Sequence, residues 1–191
     1  MVRRNTQMRD DPMTDEELLR SCLCGNVEEY QKIVERYRTK ALAIAMNILG
    51  NREDAEDASQ DTFIQVYKNL EKFDFQRSFP NWFYSILYKR CLDRLRKRYR
   101  FSRFYQKIKA EPSQSFATPQ ANPKFSLLNK QELLKSLKPK ERISLFLWAN
   151  DGYTGAEIAD VLKCSPSTAR VHLFKARKKI KALLESKNVV L

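Results

Sequence analysis

The stretch NREDAEDASQDTF, residues 51–63, sets Glu53, Asp54, Glu56, Asp57 and Asp61 close together in a chain that is otherwise strongly basic. Carboxylates this concentrated have two chemical uses. Converging on one point, they could hold the metal ions of an enzyme that acts on DNA, such as a nuclease or recombinase. Spread along a helix face, they could instead receive a basic partner. Helical spacing distributes these acids over different faces, which argues against a common metal point. On a helical wheel Asp57, Gln60, Asp61, Ile64 and Lys68 share one side, and Ala55, Ala58, Thr62, Phe63, Val66 and Leu70 share the other. Acids at a helix start are favoured by the macrodipole at about 0.3–1 kcal/mol each, which would explain a merely solvated face. Ile64 is what that explanation leaves over: an apolar side chain among outward acids suits a protein partner with a basic rim around a small apolar contact.

Other reactive groups are sparse. Cys22, Cys24, Cys91 and Cys164 include a C-x-C pair rather than the paired C-x-x-C spacing of a structural zinc site, and they read as small apolar residues. His172 is the single histidine, so a zinc site or a His-based catalytic triad is hard to assemble. It lies at the edge of an apolar stripe and reads as a neutral boundary residue. No catalytic residue, metal ligand or cofactor is expected.

The opposite charge dominates elsewhere. Lys and Arg number 36 against 23 Asp and Glu, a formal net charge of +13. Such a field draws polyanions, nucleic acid first and an anionic membrane surface second. Across residues 82–100 the wheel puts Tyr84, Leu87, Tyr88, Cys91, Leu92, Leu95 and Tyr99 inward. Lys89, Arg90, Arg96, Lys97 and Arg100 face outward, with Trp82 and Ile86 beside them and Asp93 the one acid of that run. Cations track phosphates while aromatic rings stack on unpaired bases, so the mixture suits single-stranded or opening DNA. The preceding FDFQRSFPNW loop adds Phe75, Arg77, Ser78 and Phe79 at the same end, where a flipped base could be captured.

The elements that position these groups read as helices throughout. Four glycines, few alternating runs and recurrent 3.6-residue apolar spacing predict an all-α protein. Two small helical domains, at 14–100 and 129–186, are separated by a Pro-, Ser- and Gln-containing stretch, 101–128, that reads as a flexible linker. Residues 1–13 and 187–191 are short tails. In the first domain Thr14 and Glu17 form a capping box, Gly50 ends the second of four helices, and the acidic and basic stretches make the third and fourth. In the second domain Pro139 opens a helix, Thr154 and Glu157 cap the next, and Ser165 or Ser167 caps the last, a helix-turn-helix pattern. Along the last helix Ala169, Leu173, Ala176, Ile180 and Leu183 point inward. Thr168, Arg170, Val171, Phe174, Lys175 and Lys178 point away, and an exposed Val and Phe among cations suit a helix laid in a major groove. No apolar run approaches the ~18 residues that span a bilayer, and the first residues lack the apolar middle of a secretory signal, so a soluble cytoplasmic protein without membrane insertion is expected.

DAEDASQDTFIQVYKNLEKFD followed by NWFYSILYKRCLDRLRKR resembles the first domain of bacterial RNA polymerase sigma factors of the extracytoplasmic-function (ECF) group, which are sigma-70-like. YTGAEIADVLKCSPSTARVHLFKARKKIK resembles the second domain of the same proteins. The resemblance implies a four-helix region 2 bundle, a helix-turn-helix region 4, and a promoter-specificity subunit that is not itself an enzyme. It implies that Asp57, Gln60, Asp61 and Ile64 contact core polymerase at the clamp coiled-coil. Phe75, Arg77, Ser78, Phe79, Trp82, Lys89, Arg96, Lys97 and Arg100 would bind and help open the promoter −10 element. Ser167, Thr168, Arg170, Val171, Phe174, Lys175 and Lys178 would read the −35 element, with the second domain also resting on the polymerase flap and the linker threading toward the RNA exit path. An anti-sigma factor is a further partner common in that group. Departures from the family pattern are Lys89 where Asn is frequent, Lys163 where Gly is frequent, and Ser167, Val171, His172 and Phe174 in the last helix. If the backbone at Lys163 is left-handed, that side chain costs about 1 kcal/mol. The rival reading of the same residues is a helix-turn-helix regulator acting without polymerase, its first domain serving dimerisation or sensing.

Overall fold

The chain is seen in a computed structural model that describes residues 13–108 and 136–186. The described residues form seven α-helices and one short 3-10 turn, with no strand among them. The first block contains α1 (Asp15–Leu23), α2 (Glu29–Leu49), α3 (Arg52–Lys68), the 3-10 turn Leu70–Lys72 and α4 (Phe79–Ile108). The second contains α5 (Pro139–Asp151), α6 (Gly155–Leu162) and α7 (Pro166–Ser186). Helix α4 continues eight residues beyond the boundary expected at 100. The rest of the expected linker, 109–128, and the start of the second domain, 129–135, lie outside the described residues.

Local chemistry explains where the helices start and stop. Glu17 N–H donates to the Thr14 hydroxyl while the Glu17 carboxylate accepts from Thr14 N–H at 2.8 Å, and Thr154 with Glu157 repeats the arrangement at 2.7 Å. Asn51 starts α3 by accepting from Asp54 N–H at 2.9 Å. At the start of α7 it is Ser165 whose hydroxyl accepts from Thr168 N–H, at 3.2 Å. Gly50 and Gly152 end their helices at φ of 68° and 66°. Lys163 ends α6 at φ 50°, ψ 54°, in the left-handed region, and is the one non-glycine residue described there.

Helix α2 runs through the middle of the first block, flanked by α1, α3 and α4. Its Tyr37 packs edge-on against Phe79 and obliquely against Phe83, with ring centroids 5.4 and 5.0 Å apart. Asp15 of α1 accepts from both Tyr37 and Arg36, fixing α1 to α2. Phe79, Phe83, Tyr84, Ile44 and Ile48 are fully buried, each contributing about 1.5–3 kcal/mol of apolar transfer. Cys22 and Cys91 lie in this core, where burial pushes the Cys91 thiol up to about 12.

The two blocks do not stand apart: one buried cluster runs from Leu19 and Ile33 through to Ile143, Ile158 and Ala169. Helix α5 packs on α2, and α6 packs on α4. Arg142 of α5 donates to the Ile48 carbonyl at 2.7 Å, Lys40 pairs with the buried Asp151 at 2.7 Å, and the Tyr84 and Tyr153 rings lie 6.4 Å apart. Within the second block, buried Glu141 accepts from Lys179 Nζ at 2.7 Å and from Lys138 N–H at 2.9 Å.

Two outcomes follow. Replacing Lys163 by Gly should raise stability by about 1 kcal/mol, read from the urea midpoint, because the left-handed backbone no longer carries a Cβ. For Glu141, burial opposes ionisation, but the Lys179 ammonium and the Lys138 N–H outweigh it and hold the carboxyl below its ordinary value. A depressed folded value gives stability that is present above the ordinary carboxylate range and is lost as pH falls through the folded value. The thermal midpoint should therefore drop below about pH 4, and Glu141→Gln should flatten that part of the profile.

Candidate functional site

The outward face of α3 carries the expected residues together. Asp57, Gln60, Asp61 and Ile64 are all exposed, Ile64 at 53%, while Ala55, Ala58, Thr62 and Val66 are buried beneath them. Tyr67 lies on the same face, packed 5.0 Å from Tyr30, whose hydroxyl donates to the Phe63 carbonyl at 2.7 Å.

Sequence reading missed the partner of these acids. Arg94 of α4 reaches across with both Nη atoms, one on Asp57 Oδ2 and the other on Asp61 Oδ2 at 2.8 Å. The two hydrogen bonds, Asp61 first, stabilise the guanidinium and raise its pKa. Among the described residues the other carboxylate oxygens of Asp57 and Asp61 have no hydrogen-bond partner. Arg98 pairs with Asp54 at 3.2 Å and also donates to the Leu49 carbonyl at 3.2 Å. Arg90, expected to face out, is half-buried and donates to Gln65 at 3.2 Å.

The second surface begins at the 74–79 loop. Asp74 organises it by accepting from Gln76 N–H at 3.0 Å and pairing with Arg77 at 3.5 Å. Arg77 and Ser78 are exposed, and Ser78 precedes α4, its carbonyl receiving Trp82 N–H at 3.2 Å. Phe75 is half-buried, with its ring against Phe73 at 5.0 Å and the Arg20 guanidinium 4.1 Å over it. Trp82 is also half-buried, 4.9 Å from Phe73. Phe79, expected at the same surface, is fully buried among Tyr37, Phe73 and Phe83 and lies in the core. Lys89, Arg96, Lys97 and Arg100 are exposed along α4. Arg96 pairs with Asp93 at 3.2 Å, whereas Lys97 and Arg100 have no acidic partner among the described residues. Tyr99, expected inward, is 65% exposed because α4 there has run past the helices that cover it.

The third surface is α7. Ala169 and Ala176 are buried and Leu173, Ile180 and Leu183 half-buried, so the inward stripe is as expected. Ser167, Thr168, Arg170, Val171, Phe174, Lys175 and Lys178 are all exposed, Phe174 at 66%. A Cβ added to Gly155 would meet Arg170 Cγ at 3.0 Å, so the absence of a side chain at the start of α6 is what lets Arg170 lie across it. His172 is half-buried, and burial, then Lys140, lowers its pKa so that it stays neutral at physiological pH. Among the described residues no group of His, Cys, Asp or Glu is arranged to hold a metal ion, and no helix is long and apolar enough to cross a membrane.

Residues 33–101 match the family profile of Sigma-70 region 2, and residues 129–180 match that of Sigma-70 region 4. The chain is 36% identical over 74 residues to the ECF RNA polymerase sigma factor SigW of Bacillus subtilis, a match spanning 39% of this chain and 40% of that protein. It is 28% identical over 186 residues to the RNA polymerase sigma factor NccH of Alcaligenes xylosoxydans xylosoxydans, covering 94% of this chain and 99% of that one. Among solved structures, CnrH in complex with the cytosolic domain of CnrY superposes with a TM-score of 0.64 at 26% identity, over 90% of this chain and 97% of that one.

Because the carboxylates that Arg94 bridges are about half exposed, Arg94→Gln should cost less than about 1 kcal/mol. A urea titration would measure the loss, and near-unchanged far-UV circular dichroism is expected alongside it.

Proposed function

The chain belongs to the sigma-70 family of RNA polymerase sigma factors, in its extracytoplasmic-function group, and from that premise we propose that it binds core polymerase, directs it to specific promoters and helps open them. Asp57, Gln60, Asp61 and Ile64 dock on a cationic element of the polymerase, the clamp coiled-coil in the family. Arg77, Ser78, Trp82, Lys89, Arg96, Lys97 and Arg100, with the edge of Phe75, bind the −10 element. Ser167, Thr168, Arg170, Val171, Phe174, Lys175 and Lys178 bind the −35 element, and the second domain also rests on the polymerase flap. The cations supply salt-dependent affinity through phosphates, and Arg170, Val171 and Phe174 supply choice at base edges. The protein does no bond chemistry itself and works in the cell interior; nucleotidyl transfer belongs to the polymerase. An anti-sigma factor that covers these surfaces is a fitting regulator, in keeping with the CnrY-bound state of the similar CnrH.

The observation that carries this reading is the separation of exposed surfaces by sign within one chain. An acidic strip with an apolar residue at its C-terminal end lies on α3, and cationic faces with exposed apolar atoms lie on α4 and α7. A regulator acting without polymerase would leave the α3 strip without a use.

Pull-down with purified core polymerase, followed by transcription from promoter fragments, tests the proposal. Asp57→Lys/Asp61→Lys should weaken assembly by roughly tenfold or more. Ile64→Glu alters an exposed side chain outside the buried core, and should weaken assembly while leaving the fold and DNA binding intact. Unchanged assembly in both variants, with DNA binding preserved, would return the regulator reading.

A further inference from the structure

Beyond the residues assigned to the −10 element, α4 continues as an exposed helix with an unusual surface. From 94 to 104 it carries six cations, Arg94, Arg96, Lys97, Arg98, Arg100 and Arg103, and no acid. Three large aromatics of this segment are open to solvent: Tyr99 at 65%, Phe101 at 69% and Phe104 at 63%. They divide by face. Arg103 lies 5.8 Å over the Tyr99 ring, so those two side chains partner each other. Phe101 and Phe104 instead share a side with Lys97 and Arg100, at spacings of three, four and seven residues that fall on one helical stripe. Among the described residues neither cation has an acidic partner, and neither ring takes part in an aromatic pair. The stripe takes up Lys97 and Arg100 of the surface assigned to the −10 element, lies beside the line of Lys89 and Arg96, and runs about one turn of helix beyond Arg100.

We infer that Phe101 and Phe104, flanked by Lys97 and Arg100, form a binding face for unpaired single-stranded DNA; the inference rests on the promoter reading and lengthens its α4 surface. Charge selects the occupant. An acid-free cationic stripe attracts a polyanion, and a wholly duplex ligand offers phosphates to the cations but hides its base faces from the rings. A single strand satisfies both, with phosphates on Lys97 and Arg100 and bases stacked on Phe101 and Phe104. Stacking is indifferent to base identity, so this face adds affinity for the opened strand without adding sequence choice. Region 2 similarity ends at residue 101, and Phe104 lies outside it.

The full-length chain is titrated into labelled oligo(dT) and into a duplex of equal length, with fluorescence anisotropy as the readout at two ionic strengths. Phe101→Ser/Phe104→Ser should weaken oligo(dT) binding by about tenfold, with duplex affinity and the salt slope nearly unchanged. Phe101→Tyr/Phe104→Tyr keeps the rings and should retain binding. Lys97→Gln/Arg100→Gln should weaken both probes and reduce the salt slope by about one to two. Both phenylalanines are already in solvent, so their replacement leaves the core untouched. Equal loss on both probes, no loss on either, or loss of core-polymerase binding with DNA binding intact would each overturn the inference; the last would make the stripe a protein-docking face. Core assembly is read separately through Ile64→Glu, so failure of the promoter reading is distinguishable from failure of this one.

Discussion

One guanidinium governs what the acidic face of α3 is able to do. Asp57 and Asp61 stand four residues apart on a helix, where two like charges repel. Arg94 places a single positive charge between them and takes one oxygen of each. The pair is thereby reduced to about one net negative charge, yet each carboxylate keeps an outward oxygen in a fixed direction. The strip's value to a cationic partner then comes from placement more than from accumulated charge. A planar, forked donor is suited to span two carboxylates in this way, and an ammonium would sit on one at a time.

A related constraint joins the strip to the rest of the fold. The last turn of α2 ends at Gly50 with carbonyls that have no partner within the helix. Arg98 from α4 takes the Leu49 carbonyl and Arg142 from α5 takes that of Ile48. Two guanidiniums at one helix end repel each other, and burial followed by Arg98 accordingly lowers the Arg142 pKa. The negative end of the α2 macrodipole offsets that repulsion. Arg98 also holds Asp54, so α3, the end of α2 and the second helical block meet at a single polar junction above the shared core.

What could be read from the sequence was what a single helix encodes. The buried and exposed sides of α3 and α7 follow from apolar spacing alone, and the capping boxes at Thr14 and Thr154 follow from side chains three residues apart. The left-handed backbone at Lys163 was raised only as a condition, from the Gly that is frequent there in the resembled family, and the structure has it left-handed. Arg94 was not legible, because its partners lie 33 and 37 residues away and any of several cations on α4 has the same composition. Phe79 was misplaced because its neighbours in the chain are loop-like while its neighbours in space are Tyr37 and Phe73. Tyr99 was misplaced for the converse reason: it keeps the inward register of α4 after the bundle that would cover it has ended. The packing of α5 and α6 on the first block was hidden because α2 and α4 bury apolar residues on more than one side, and a wheel assigns a helix only one covered stripe.

A chain of net charge +13 holding a cationic partner looks contradictory only if charge is summed over the molecule. At physiological ionic strength the field of an exposed charge decays over about 8 Å. From Asp57 to Ile64 the strip extends about 10 Å along α3, so a surface resting on it experiences chiefly the strip and its bridging arginine. Farther out, the excess of cations prevails and favours encounter with nucleic acid over encounter with another basic protein. On the proposed reading, docking on a cationic polymerase element would therefore draw its strength at contact, from a desolvated Ile64 and the two directed oxygens, with little help from long-range attraction. That is a physical reason for an apolar residue to sit at the edge of an acidic face.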